Sequence, residues 1–295
     1  SGYGAGITVL SGNNTISLST MTVNNTGFFP LIISNSDTNT VTASYVSNAH
    51  VNGWGAVING GADFNLISES TMTSAGIGAR AALAITASYS NSVMGSWILA
   101  SGSDAVLLQT SADLNTIIRS TMLASAAGAA GLHLINVSSN TILDSYVQGS
   151  TAALIAGSTG TVFGGSIFIA TNTAGSAIAL AGGSVNMTIA TSTLLAPSLG
   201  RGIYLDRDNK GVVSIGSVTI TGTARGIEVS TQGASFSMAV DSITFRALAS
   251  GATAVHFLGG TFVSTFNLAS FESTNIANNV SGAALALASR ITMNA

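Results

Sequence analysis

Apolar and polar positions recur along this chain with a period of about 25 residues. The recurring motif reads Asn-Thr-Ile-x-x-Ser-Thr-Met in residues 14–21. It returns with related residues at 39–46, 65–72, 91–98, 115–122 and 140–147. A fixed period of this length is typical of solenoids, in which each repeat is one coil that buries its apolar face by stacking on its neighbours.

Two positions of the motif are apolar in every copy, as Ile16 and Met21 are in the first. Positions five residues apart cannot lie on one face of a strand, because strand side chains alternate with a period of two. A bend between them resolves this conflict, and the sixth position, which is Ser in these copies, is the turn former. A second apolar segment follows in each coil, so the pattern predicts three short strands per coil joined by Gly, Ser and Asn turns.

The register continues beyond residue 159, although the motif is less regular there. We place the next coil starts at Gly160, Met187, Gly211 and Phe236. For the first of these coils this register predicts that Val162 and Ile167 point inward.

The tandem motif Asn-x-Ile-x-x-Ser-x-Met resembles the repeat of right-handed parallel β-helix proteins. In that group a small polar residue separates two strands, and Asn or Ser side chains stack in ladders. The serines from Ser19 to Ser145 match that position. The group includes pectin-degrading enzymes, phage tailspikes, autotransporter passengers and surface adhesins, so the resemblance is specific for architecture and not for function. We predict an all-β chain folded as a right-handed parallel β-helix (a β-solenoid), with about 12 coils of three short strands each.

We predict a single β-helix domain over residues 1–295. The seventh motif position alternates between Thr and an aromatic residue, so residues 14–159 are interpreted as regular two-coil repeats. Residues 160–295 have lost this alternation and are interpreted as divergent coils. The chain begins at Ser1 without an initiator Met, and we expect it to be a processed form or a segment of a longer chain.

The composition narrows the classes of function. Charged residues are only 6% of the chain and the net charge is −3, so we expect no nucleic-acid partner. Mean hydropathy is +0.53, but the apolar residues are dispersed, and we expect no transmembrane segment. The absence of Cys excludes disulfides and Cys-based zinc sites. A low-charge chain rich in Ser, Thr, Asn and Gly is expected to be extracellular or on a cell surface.

The first candidate site is a row of aromatic residues, Tyr45, Trp97 and Tyr146, at the seventh motif position. Strand parity directs them outward, on alternate coils about 10 Å apart. Flat apolar rings with a polar tip suit sugar rings or a protein partner, so we predict a ligand-binding row. The alternative is that aromatic residues favour exposed β-surface and that repeat copying spread them.

The second candidate site lies in residues 201–228, which concentrate charge in an otherwise nearly uncharged chain. Arg201 and Arg225 begin equivalent strands of adjacent coils, so we expect them to stack. By the same register Tyr204 stacks on Glu228. Two like charges at strand spacing repel unless a carboxylate or bound anion joins them.

Asp206 and Asp208 lie on the turn that follows. Their oxygens suit Ca²⁺, so the stretch is interpreted as an acidic-sugar site or a Ca²⁺ site. The alternative is a solvated turn with internal ion pairs of little energetic value. We expect no other cofactor and no His-based metal site.

From these features we expect an extracellular structural or adhesive β-solenoid, either a surface adhesin or a fibre subunit, without catalytic residues. It is expected to associate with itself, end to end or laterally, and to contact glycans or a host surface. The alternative is a carbohydrate-active β-helix, either a polysaccharide lyase or hydrolase or a tailspike-like protein. The paired Asp, His-Gly and Arg-x-Lys segments of the pectinase-like members do not occur in this sequence.

Overall fold

The computed structural model describes residues 4–8, 10–78, 80–197, 199–246, 253–258, 263–267, 269–271, 284–286 and 291–293. These residues form three parallel sheets, termed A, B and C, and contain no helix. The fold is a right-handed parallel β-helix of about 10 turns, with three strands per coil and about 25 residues per turn. The predicted fold class is therefore confirmed. The strands fall into two compact units, Ser1–Ser150 and Thr151–Ala295, while the single-domain organisation stays a prediction.

Among the described residues of the first unit each sheet has six strands, and within the unit equivalent strands of successive coils pair with each other. Sheet A contains β1 (Ala5–Thr8), β4 (Leu31–Ser34), β7 (Ala56–Asn59), β10 (Leu83–Thr86), β13 (Val106–Gln109) and β16 (Ala130–Ile135). Sheet B contains β2 (Thr15–Ser17), β5 (Thr40–Thr42), β8 (Leu66–Ser68), β11 (Ser92–Met94), β14 (Thr116–Ile118) and β17 (Thr141–Leu143). Sheet C contains β3 (Thr20–Val23), β6 (Tyr45–Asn48), β9 (Thr71–Ser74), β12 (Trp97–Ala100), β15 (Thr121–Ala124) and β18 (Tyr146–Gly149).

The second unit is built from the same three-strand coil. Sheet A contains β19 (Thr151–Ala156), β22 (Ser176–Ala181), β25 (Arg201–Leu205), β28 (Arg225–Val229) and β31 (Thr253–Phe257). Sheet B contains β20 (Val162–Gly164), β23 (Val185–Ala190), β26 (Lys210–Gly216), β29 (Phe236–Val240), β32 (Val263–Phe266) and β34 (Ala284–Ala286). Sheet C contains β21 (Ile167–Ala170), β24 (Thr193–Leu195), β27 (Val218–Thr221), β30 (Ile243–Arg246), β33 (Ala269–Phe271) and β35 (Ile291–Met293).

A buried asparagine ladder closes the corner before sheet B in the first unit. The side-chain oxygen of Asn65 accepts the main-chain N–H and the side-chain amide of Asn39, at 2.8 and 3.0 Å. Asn91 accepts the same two groups of Asn65 at 2.9 and 3.1 Å. These bonds satisfy buried main-chain donors at a corner where the strand ladder is interrupted.

The bend between sheets B and C uses a left-handed residue and a serine ladder. The residue before each ladder serine has a positive φ, for example 50° at Glu69 and 49° at Arg119. The N–H of Ser70 then donates to the hydroxyl of Ser96 in the next coil at 3.3 Å. The bend thus begins one residue before the turn former that the sequence indicated, and the serines form the expected ladder.

The inward columns fill the core, with one correction in the second unit. Ile67 and Met72 are fully buried, as their motif positions predict. In the coil that starts near residue 160, however, Phe163 and Phe168 are the buried residues, and Ile167 is exposed. The predicted inward positions of Val162 and Ile167 were therefore wrong by one residue. Without the Asn that marks each earlier coil, two adjacent apolar residues leave the phase of the alternation open.

Candidate functional site

The aromatic row lies on the outer face of sheet C in the first unit. Tyr45 and Trp97 each pair with Thr71, which places the two aromatic residues on alternate coils. Thr121 stands in the same way between Trp97 and Tyr146. Tyr45 is 42% exposed and Trp97 is 49% exposed, so both present ring surface to solvent. Their spacing is about 10 Å, two strand steps.

A groove of about 430 Å³ runs beside this row and crosses the same five coils. Its floor is the outward column two residues further along each strand, formed by Ser47, Thr73, Leu99, Leu123 and Gln148. Five strands at about 4.8 Å give the groove a length of about 19 Å along the stacking direction. Leu99 and Leu123 lie at its centre, and hydroxyl or amide groups line every one of the five coils. This mixture makes the groove suitable for an amphipathic chain rather than a compact ligand.

Hydrogen bonds connect the aromatic row to the groove. The Tyr146 hydroxyl donates to the side-chain oxygen of Gln148 at 2.7 Å. The Thr73 hydroxyl donates to the Ser47 hydroxyl at 2.8 Å. Side-chain hydrogen bonds from Ser47, and then from Thr73, lower the pKa of Tyr45 below its usual value. The polar tips of the row and the groove therefore belong to one surface, and none of the described residues that line the groove is charged.

The charged cluster lies on sheet A of the second unit. Arg201 pairs with Arg225, and Tyr204 pairs with Glu228, which pairs in turn with His256. The side chain of Glu228 is only 2% exposed. Its Oε1 accepts the Nε–H of Arg201 at 2.6 Å, and its Oε2 accepts Nη1–H of Arg225. The carboxylate that joins the two stacked arginines is therefore Glu228 itself.

Two side chains near Glu228 have shifted pKa values. His256 Nδ1 lies 3.2 Å from Glu228 Oε2, yet burial, and then the positive charge of Arg225, lower the pKa of His256 below its usual value. Burial and then the hydrogen bond to Asp206 raise the pKa of Tyr204. The Arg201 guanidinium lies over the Tyr204 ring, 4.7 Å from its centre, within the range of a cation–π contact.

Asp206 and Asp208 are placed differently from the cluster. Asp206 accepts the Tyr204 hydroxyl at 3.1 Å, whereas Asp208 is an exposed turn residue with a φ of 67°. Across the described ranges, no group of three or more His, Cys, Asp or Glu side chains is arranged to hold a metal ion. The Ca²⁺ site at Asp206 and Asp208 stays a prediction, and so does ligand binding by both candidate sites.

Two features escaped the sequence reasoning. The groove floor was missed because Ser47, Thr73 and Gln148 share no residue type that marks a column. A hydrogen-bonded pair in the first unit was also missed, in which His133 Nδ1 lies 2.8 Å from Asp104 Oδ2. Asp104 Oδ1 accepts the main-chain N–H of Ala130 at 2.7 Å, so this pair stabilises the start of β16 rather than forming an open site.

Comparison with known proteins shows the fold alone. A scan against protein-family models found no match, and a search of curated proteins found none. Among solved structures, the tailspike protein of Pseudomonas phage LKA1 matches with a TM-score of 0.54 and 9% identity, covering 97% of this chain and 52% of that protein. A tailspike protein of E. coli bacteriophage HK620 matches with a TM-score of 0.49 and 11% identity, covering 96% of this chain and 58% of that one. The chain thus spans a little over half of the length of these tailspikes.

No helix in the described part of the chain combines the length and apolar character needed to cross a bilayer.

Proposed function

We propose that this chain is an extracellular, tailspike-like β-helix that binds an uncharged, linear glycan along the outer face of sheet C. One observation carries the proposal: the aromatic row of Tyr45, Trp97 and Tyr146, of which the first two are exposed and the third is half-buried, borders a groove that crosses five coils. A ring spacing of about 10 Å matches the length of about one disaccharide, so alternate sugar units of one chain stack on successive rings.

The groove supplies what a sugar chain needs besides stacking. Hydroxyl and amide groups of Ser47, Thr73 and Gln148 exchange hydrogen bonds with sugar hydroxyls, while Leu99 and Leu123 cover the apolar faces of the rings. The lining is uncharged, which favours a neutral glycan. Glycoside hydrolysis needs two carboxylates beside the scissile bond, and the lining of this groove holds none. We therefore propose binding, as an adhesive function requires, rather than cleavage at this surface.

The fold supports the same proposal. The match to the LKA1 tailspike extends over almost the whole chain, so the tailspike-like alternative gains support from architecture. A rigid solenoid presents a repeated surface of fixed spacing, which suits a polymeric ligand better than a single small molecule.

A glycan array with neutral and acidic oligosaccharides tests this proposal, followed by titration of the best neutral ligand against Trp97→Ala. The expected loss is about tenfold in Kd, since one stacked ring contributes about 1–2 kcal/mol. Tyr89→Ala is the matched control, because Tyr89 is a 39% exposed aromatic residue at a corner outside the row. Equal losses in both variants, or no loss in Trp97→Ala, would refute the proposal.

A further inference from the structure

The two arginines of the charged cluster, Arg201 and Arg225, have N–H donors that are not used within the cluster. Arg201 uses its Nε for Glu228 and its Nη1 for the carbonyl oxygen of Ala174, at 3.3 Å. Arg225 uses its Nη1 for Glu228. A guanidinium carries five N–H donors, and within the described ranges the Nη2 groups of both arginines have no hydrogen-bond acceptor. These donors lie on side chains that are 28% and 40% exposed.

The two guanidiniums also share one buried carboxylate, that of Glu228. Burial, and then repulsion from Arg201, lower the pKa of Arg225, although a guanidinium remains protonated at any physiological pH. The surrounding charges are Asp206, held by Tyr204, and the exposed turn residues Arg207, Asp208 and Lys210. An anion placed against the two guanidiniums relieves their repulsion.

We propose that Arg201 and Arg225 form a second ligand site, which binds the carboxylate of an acidic saccharide such as a uronic acid. Glu228 acts there as a positioning residue, buried beneath the two guanidiniums and aligning both. The pair already bridges one planar carboxylate, that of Glu228, and paired arginines recognise planar carboxylates with geometric specificity. That the ligand is a saccharide rests on the proposed function, whereas its carboxylate rests on the cluster alone and distinguishes it from the neutral glycan of the groove.

The neighbouring side chains fit a sugar that carries this carboxylate. His256 directs Nδ1 to Glu228, which leaves Nε2 for a sugar hydroxyl. Tyr204 contributes an aromatic ring that is held by Arg201 on one side and fixed at its hydroxyl by Asp206. In this proposal Glu228, which the sequence marks as a ligand-site candidate, holds the residues that contact the ligand.

Calorimetric titration with an oligogalacturonate tests the site, with a neutral oligosaccharide of equal length as the comparison ligand. Arg225→Gln is expected to weaken oligogalacturonate binding at least about tenfold, because charge-assisted bonds are the strongest polar contacts. Arg207→Gln removes the same charge from an exposed residue of the adjacent turn and is expected to leave Kd within about twofold. Arg225→Lys keeps the charge but loses the planar fork, and is expected to weaken binding nearly as much as Arg225→Gln.

Several outcomes would overturn the proposal. They are equal losses in Arg207→Gln and Arg225→Gln, unchanged binding by Arg225→Lys, equal affinity for the neutral oligosaccharide, and absence of oligogalacturonate binding at concentrations of about 10 mM. Preference for a sulfated saccharide or inorganic sulfate would overturn the carboxylate assignment. Trp97→Ala is expected to leave this binding unchanged, so the groove and the arginine site fail or succeed independently. Added salt is expected to weaken only the arginine site.

Discussion

The substitution Asn91→Ala tests how much the asparagine ladder contributes to the stability of this fold. Asn91 is fully buried. Its side-chain oxygen accepts the main-chain N–H of Asn65 at 2.9 Å and the Asn65 side-chain amide at 3.1 Å. Its own amide donates to the side-chain oxygen of Asn115 at 3.1 Å. The substitution removes all three bonds at once.

The loss of stability depends on which of the affected groups keep another hydrogen-bond partner. The Asn65 side-chain amide still reaches the carbonyl oxygen of Ser36 at 3.0 Å. The Asn115 oxygen still accepts the main-chain N–H of residue 91 at 2.9 Å. The main-chain N–H of Asn65 alone loses its acceptor while buried, which costs about 1–3 kcal/mol, and each of the other two lost bonds costs about 1 kcal/mol. We expect the free energy of unfolding to fall by about 3–5 kcal/mol.

Denaturant unfolding followed by circular dichroism measures this loss, with Asn14→Ala as the matched control. Asn14 has the same motif position but is exposed, and its main-chain N–H keeps the Asn39 oxygen at 2.9 Å. Its removal therefore orphans no buried donor and is expected to cost less than about 1 kcal/mol. Hydrogen exchange provides a local measure, since the Asn65 amide should lose protection in Asn91→Ala. Equal costs for the two variants, or an unchanged exchange rate at Asn65, would refute the ladder argument.

Two further predictions concern a corner of the first unit and the cluster of the second. Glu69 and Gly95 occupy the same left-handed corner of adjacent coils, with φ values of 50° and 56°. Glu69→Gly is expected to raise Tm slightly, and Gly95→Ala is expected to lower it. Each change in unfolding free energy is expected to stay below about 1 kcal/mol, because Gly relieves the left-handed strain but loses more chain entropy on folding. Shifts of Tm in the same direction for both variants would contradict this. The folded-state pKa of His256 lies below its unfolded value of 6.5. Below pH 6.5 the unfolded chain therefore binds more protons than the folded chain, and stability decreases as the pH is lowered. His256→Gln should flatten this slope in unfolding free energies measured between pH 7 and pH 5, and an unchanged slope would exclude His256 as its source.

Different parts of the candidate sites were open to prediction for different reasons. The register of equivalent strands in successive coils follows from the repeat. The sequence therefore predicted that Arg201 stacks on Arg225 and that Trp97 alternates with Thr71. The burial of Glu228 could not, because nothing in its strand distinguishes an outward carboxylate in water from one covered by two arginines. The same limit hid the groove, whose floor combines Leu99 with Gln148 and becomes a surface only when five coils are stacked.

The sequence by itself determined the coil, its three strands and its inward columns wherever an Asn and a Ser mark each turn. Periodic residues encode a local rule, and stacking repeats that rule without further information. Tertiary structure alone decided the phase of the coil around Phe163 and Phe168, where adjacent apolar residues fit either face and only packing against the neighbouring coils selects one. It also decided which outward side chains meet, because exposure, charge pairing and groove shape arise between coils and not within any one of them.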